Sequence, residues 1–325
     1  MQYNLAELIE RVNKHMTGLE YPAQPDGLFE PVRYALSLGG KRLRPVLTLM
    51  AYNLYKEDIE NIYNVAGGIE MYHNHTLLHD DVMDKADIRR GKPTVHKVWN
   101  ENTAILSGDA MLIRAFQYVS LAPKEYLKEV IDLFAQTTLE ICEGQQYDME
   151  FESRMDVTEE EYMEMIRLKT AVLLACSIKV GAILGGASEE DCNNLYNFGI
   201  HIGLAFQLQD DLLDVYGDPK VFGKNTGGDI TSNKKTFMLI KAFELAEGKN
   251  REELDHWVNA AEFDAAEKIK CVTEIYNNIG IKEICEAKMQ EHDGKANEYL
   301  DQVKVDEAKK EELRALAARL MNRDR

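Results

Sequence analysis

Two short acidic clusters carry the strongest chemical signal in this chain. His79-Asp80-Asp81-Val82-Met83-Asp84 and Gln209-Asp210-Asp211-Leu212-Leu213-Asp214 both read DDxxD. Each follows an apolar run with helical spacing, over residues 72–78 and 200–208. On a helix, positions i and i+4 lie one above the other, so Asp80 stacks with Asp84 and Asp210 with Asp214. Such like-charge pairs cost helix stability unless a cation offsets them. Magnesium suits the task, because it takes one or two carboxylates, keeps waters and draws its remaining ligands from substrate phosphates. Two such faces pointing at each other would hold a diphosphate through a small metal cluster. A single DDxxD reads as an acidic helix surface and arises by chance on the order of a few per cent of the time in a chain this long. Two are much rarer. These aspartates are also flanked by Leu, Val, Met and Phe, where unpaired acids are expensive.

Positive residues are interspersed with the acids. Gly39-Gly40-Lys41-Arg42-Leu43-Arg44-Pro45 is a compact basic turn whose glycines permit close approach of an anion. Lys41 and Arg44 would converge there, Lys as a point charge and Arg as a planar fork. Arg89-Arg90 follows the first acidic helix. Lys169-Thr170 lies in a stretch rich in Leu, Val and Ala, where a lysine also simply snorkels. Lys224 and Lys234-Lys235-Thr236 follow the second cluster. Each is ordinary alone; together they form a cationic set suited to phosphates.

The elements that must position these groups are helices. None of the seven prolines falls between Pro123 and Pro219 or after Pro219, which leaves room for long uninterrupted helices. Residues 121–152, 159–184 and 195–215 carry apolar side chains at three- and four-residue spacing. Period-two strands, linkers and internal repeats are not evident. The reading is one all-α domain spanning 1–325, with charged amphipathic helices from about residue 247 onward.

Composition narrows the function classes. The chain has 325 residues, 45% of them hydrophobic, and a formal net charge of −18. So acidic a protein is not expected to bind nucleic acid. Five scattered cysteines without a CxxC suggest free thiols in a reducing compartment. The N-terminus reads as a helix rather than a signal peptide. The longest apolar stretch, residues 172–187, is short and interrupted for a membrane span. A cytoplasmic protein with no transmembrane segment is expected.

At this point the sequence resembles the trans-polyprenyl diphosphate synthase family, the farnesyl and geranylgeranyl diphosphate synthase group. The matching segments are GGKRLRP (39–45), Glu70-x-x-His73, LLHDDVMD (77–84), RRGKPTVH (89–96), GD (108–109), KT (169–170), FQLQDDLLDVYGD (206–218), GK (223–224), NKKT (233–236) and the terminal NRDR. The resemblance implies an all-α isoprenoid-synthase bundle around a deep central cavity, usually a homodimer. It implies that Asp80, Asp84 and Asp210 bind magnesium directly, with three ions per active site when substrate is present. Asp81, Asp211 and Asp214 would be ligands or supports. Lys41, Arg44, His73 and Arg90 match an isopentenyl diphosphate site. Arg89, Lys169, Lys224 and Lys234 match contacts to an allylic diphosphate (dimethylallyl, geranyl or farnesyl), spacing to Thr236 favouring Lys234 over Lys235. Thr170 and Gln207 match groups beside the forming carbocation.

The implied reaction is ionisation, head-to-tail condensation and elimination, giving a short all-trans product. Bulk at Tyr72 and His75, with the smaller Thr76, would floor the cavity and stop growth at C15 or C20. The rival readings are a medium- or long-chain synthase, a same-fold terpene cyclase, a metal phosphohydrolase using His73, His75 and His79-Asp80, and a non-catalytic subunit of a heteromeric synthase. The cationic set Lys41, Arg44, His73 and Arg90 favours elongation, since a cyclase has no second diphosphate to hold.

Overall fold

The structure, a computed structural model, describes residues 3–218 and 226–321. Lys224, with the whole of its GK pair (223–224), and the terminal NRDR (322–325) therefore lie outside the described residues. Helices dominate, as the spacing predicts. The N-terminal helix α1 (Leu5–Thr17) starts at a capping box in which Asn4 and Glu7 satisfy each other's backbone N–H, and it buries Leu8, Val12 and Met16 at four-residue intervals. After it come α2 (Asp26–Ser37) and α3 (Leu43–Asn53), a 3-10 turn at Ile59–Ile62, and α4 (Tyr63–Met83). Among the described residues the only strands are β1 (Ile88–Arg89) and β2 (Lys92–Pro93). Arg90 and Gly91 link them with φ of 53° and 75°, the left-handed pair that a tight hairpin requires.

Next are α5 (Val95–Val98), α6 (Glu101–Val119), α7 (Lys124–Glu152) and α8 (Glu159–Ile166). A π-helical turn, Arg167–Ala171, leads into α9 (Val172–Gly185), then α10 (Glu189–Tyr216). The remainder comprises α11 (Gly228–Thr231), α12 (Phe237–Leu245), α13 (Gly248–Asn259), α14 (Ala265–Asn278), α15 (Ile281–Gln302) and α16 (Glu307–Met321). The proline-free gap holds 29 residues of α7 and 28 of α10. None of the five cysteines forms a disulfide.

Two findings refine the sequence reading. Residues 159–184 do not form one regular helix, because the π turn interrupts them. The apolar run is also longer than its 172–187 core suggests: Glu159–Gly185 is long and apolar enough to cross a membrane by composition, but 83% of its most apolar window is buried inside the protein. It is a core helix.

The chain groups into two compact units. One is built from the residues up to Ala135, Cys176–Tyr196 and Val303–Leu313; the other from Gln136–Ala175, Asn197–Gln302 and the residues from Arg314. In the first unit, α4 lies along α6. Glycine makes that approach possible: a Cβ on Gly68 would sit 2.9 Å from the Ala115 carbonyl oxygen, and one on Gly108 would collide with the His79 ring. The N-terminal half of α4, Val65 to Tyr72, is buried all round, and only its C-terminal end emerges.

Candidate active site

In the first unit, the acidic cluster closes α4. Asp80 is half-buried, Asp81 is buried and Asp84 is the exposed C-cap. The carbonyl end of a helix carries roughly half a negative charge, so the carboxylates add to an already negative pole. Arg89, on β1, grips Asp81 with three hydrogen bonds of 2.7, 2.8 and 2.9 Å. Hairpin and helix end are thereby locked together.

Beside this lies a cationic cluster in the same unit. Arg44 Nη1 donates to His73 Nε2 at 3.2 Å, which leaves the ring proton on Nδ1. Burial, then the charges of Arg44, Arg90, Arg89 and Arg42, holds the His73 imidazole well below its ordinary value, so it stays neutral. Arg90 donates to the Gly39 carbonyl, and a Cβ on Gly40 would run into its guanidinium at 2.7 Å. The two glycines, with φ of 80° and 132°, thus let the basic loop drape over Arg90. The structure brings Arg44, His73 and Arg90 together; Lys41 is exposed on the same loop.

Arg42 has a different task from its neighbours. It is 4% exposed and caps α3 in a left-handed conformation. Its guanidinium donates to Glu70 at 2.8 Å and to the Leu36 carbonyl at 2.9 Å. This buried pair pins the basic loop to α4.

Above the aspartates along α4, an aromatic column forms. The His79 and His75 rings are 4.5 Å apart, His75 and Tyr72 5.5 Å, Tyr72 and Phe134 5.5 Å, and Phe134 and Phe116 4.9 Å. His75 Nδ1 donates to the Gly108 carbonyl and His79 Nε2 to that of Ile105, both at 3.0 Å. Thr76 turns its hydroxyl back to the His73 carbonyl. His75 and His79 thus each spend one ring nitrogen on an α6 carbonyl, which ties the column to α6. Among the described residues, no three His, Cys, Asp or Glu side chains gather to hold a metal by themselves.

The second unit repeats the acidic arrangement. Asp210, Asp211 and Asp214 lie in the last turns of α10, again at a negative helix pole. Asp211 is 3% exposed. It accepts from Tyr162 and, at 3.0 Å, from Gln207 Nε2. Burial and the charge of Asp229 raise its carboxyl above the usual range, against Lys234 and those hydrogen bonds. Asp214 accepts from the backbone N–H of Asp229 at 2.9 Å.

Lys169 pairs with Asp148 of α7. Burial pushes the Asp148 carboxyl up, but Lys234 and Lys169 outweigh it and hold it below the usual carboxylate range. Lys234 is therefore within electrostatic reach of both Asp148 and Asp211. Lys235 instead donates to the Glu152 carbonyl at 3.3 Å.

Lys169 and Thr170 lie in the π turn, where Val172 N–H donates to the Arg167 carbonyl five residues back. Two glycines make room for it. A Cβ on Gly144 would sit 2.4 Å from Lys169 N, and one on Gly203 2.5 Å from Ala171 Cα. The Thr170 hydroxyl donates to Gln207 Oε1 at 3.0 Å.

Sequence reasoning missed Tyr162, Asp148 and Asp229, and the structural part played by Arg42. No local pattern marks the first three. The donor set suits magnesium: in each motif protein donors hold the second aspartate, and the i,i+4 carboxylates gather at a negative helix end with too few ligands to complete a shell without water or phosphate.

Comparison with known proteins agrees. Residues 25–276 match the family described as polyprenyl synthetase. The chain is 40% identical over 287 residues to the short chain isoprenyl diphosphate synthase of Methanothermobacter thermautotrophicus, covering 88% of this chain and 87% of that protein. A crystal structure of a geranylgeranyl pyrophosphate synthase superposes with a TM-score of 0.92 at 40% identity, covering 100% of both chains. The geranylgeranyl pyrophosphate synthase from Corynebacterium glutamicum, solved with isoprenyl diphosphate and magnesium, gives 0.87 at 28% identity, covering 99% of this chain and 100% of that one.

Proposed function

Because the chain belongs to the polyprenyl synthetase family, we propose that it condenses isopentenyl diphosphate with an allylic diphosphate, head to tail, and releases diphosphate. The product is a short all-trans polyprenyl diphosphate of C15–C20. One observation carries the reading to these residues. Each unit ends a helix in DDxxD, with the second aspartate held by protein donors and cationic side chains beside it.

Asp80, Asp84 and Asp210 are the magnesium-binding residues in this proposal, with Asp81, Asp211 and Asp214 as supports and three ions in the substrate-bound state. Bound there, magnesium would offset the charge growing on the departing diphosphate. Lys41, Arg44, His73 and Arg90 bind isopentenyl diphosphate. Arg89, Lys169 and Lys234, with Lys224, bind the allylic diphosphate, whether dimethylallyl, geranyl or farnesyl. The allylic C–O bond breaks with its electron pair leaving on diphosphate. Oxygen lone pairs of Thr170 and Gln207 face the resulting cation, and apolar walls keep water from it. The double bond of isopentenyl diphosphate attacks, and a proton leaves to the released diphosphate. Tyr72, His75 and Thr76 set the product length. A homodimer in the cytoplasm completes the proposal; light scattering on a sizing column tests the stoichiometry.

The test of function incubates the purified chain with magnesium, labelled isopentenyl diphosphate and each primer in turn, then sizes the dephosphorylated alcohols. A C15 or C20 alcohol that disappears with EDTA is expected. No condensation by the folded protein with any primer would overturn the proposal and point to a cyclase or a subunit awaiting a partner.

A further inference from the structure

A chain of hydrogen bonds in the second unit links a buried phenol to the groups assigned to the carbocation. Tyr162, 1% exposed, donates its hydroxyl to Asp211 Oδ2. Gln207 Nε2 donates to Asp211 Oδ1 at 3.0 Å, and Thr170 Oγ1 donates to Gln207 Oε1 at 3.0 Å. Each link fixes the direction of the next. With donors on both oxygens, Asp211 acts as an acceptor towards both neighbours. That turns the Gln207 amide N–H₂ towards Asp211 and its oxygen towards Thr170. Thr170 must then spend its one proton on Gln207, which leaves only lone pairs to present elsewhere.

We propose that Tyr162 is a positioning residue which, through Asp211, sets the polarity of Gln207 and Thr170 so that their oxygens present negative dipole ends to the allylic cation. The inference rests on the reading of Thr170 and Gln207 as the cation's neighbours. Without the phenol, Asp211 loses one of its two side-chain donors and the Gln207 amide is free to turn over. In the flipped amide an N–H faces Thr170, and the threonine proton swings outward, towards positive charge. A preorganised dipole acts only as charge develops, so its loss lowers kcat and leaves ground-state binding intact.

The experiment is a double-mutant cycle of Tyr162→Phe and Thr170→Val, with kcat, both KM values and Tm measured for all four proteins. Tyr162→Phe should lower kcat by about tenfold with each KM within about twofold. In the Thr170→Val background the same change should alter kcat by less than about twofold. Additive losses, an unchanged kcat for Tyr162→Phe, or a loss confined to KM would overturn the inference. If Thr170→Val alone leaves kcat unchanged, the assignment of Thr170 beside the cation falls first, and the relay with it. Should Tyr162→Phe fail to fold, Asp211→Asn provides the second route. Its amide N–H₂ would face Gln207 and force the flip, so its loss in kcat should also shrink in the Thr170→Val background, and additivity there would refute the relay.

Discussion

Arg89 holds Asp81 through three hydrogen bonds of 2.7–2.9 Å, which ties the middle of the first acidic motif to the hairpin that follows it. The aspartates of one motif therefore have unequal tasks. Asp80→Asn and Asp210→Asn should each lower kcat by about 10²–10⁴-fold and raise the magnesium concentration needed for half-maximal rate. Asp81→Asn should shift the magnesium requirement less and instead cost about 1–2 kcal/mol of stability. Magnesium titrations of initial rate, paired with urea melts, separate the two patterns. Equal effects from all three substitutions would show that the division is wrong.

The Arg42–Glu70 pair, with side chains 3% and 2% exposed, is predicted to matter for folding before chemistry. Removing one partner strands a buried charge. Arg42→Met or Glu70→Leu alone should cost about 3–5 kcal/mol, while the double change should recover much of that loss. Denaturant midpoints of the three variants check it; a double mutant as unstable as the sum of the singles would contradict it.

The acidic motifs were legible because four-residue repetition of one charge is a one-dimensional signal. Arg42 was not, since its partner lies 28 residues away and its neighbours Lys41 and Arg44 look alike on paper. Tyr162 meets Asp211 across 49 residues, and nothing local sets it apart from any buried tyrosine. The π turn was invisible because one extra residue hardly disturbs the spacing of a run in which most side chains are apolar and buried. Helix positions followed from proline placement and apolar spacing, which are local; the pairings that orient the site are not.

Product length tests the aromatic column. His75 is fixed by the Gly108 carbonyl and packed against Tyr72. His75→Ala should open the floor and shift products at least one C5 unit longer, with the total condensation rate within about threefold of the parent. Chromatography of the dephosphorylated alcohols reads the shift. An unchanged product would remove His75 from the floor.

Acid should weaken the fold through neutral buried histidines. Burial, then His201, lowers His292 to about 4, with Glu291 opposing and Lys288 and Lys295 assisting. His292 Nδ1 lies 3.0 Å from His201 Nδ1, and His201 stacks on Tyr299. The unfolded chain takes up a proton near pH 6.5 that the folded chain refuses until about pH 4. Stability is therefore present above pH 6.5 and lost as pH falls through that window. The contribution of His292 is about 1–2 kcal/mol at pH 4.5 after allowance for solvent. Melting temperatures at pH 7.5 and 4.5 should differ less in His292→Asn than in the parent; an equal difference would exclude this histidine.

The wide turn between α8 and α9 has a geometric consequence. A π turn takes up one residue more than an α turn, so the stretch before it is rotated by about 100° relative to the stretch after it. Tyr162 stands before that offset, and Ala171, against Gly203, closes it. The turn works as a phase shifter in a single rod. It lets one stretch of chain aim a phenol at Asp211 and seat its own backbone against a neighbouring helix, two bearings that an unbroken α-helix of the same length would set about 100° apart. A one-residue deletion within 167–171 would let a regular α-helix carry the same two bearings, but without the wide turn that seats Lys169 and Thr170.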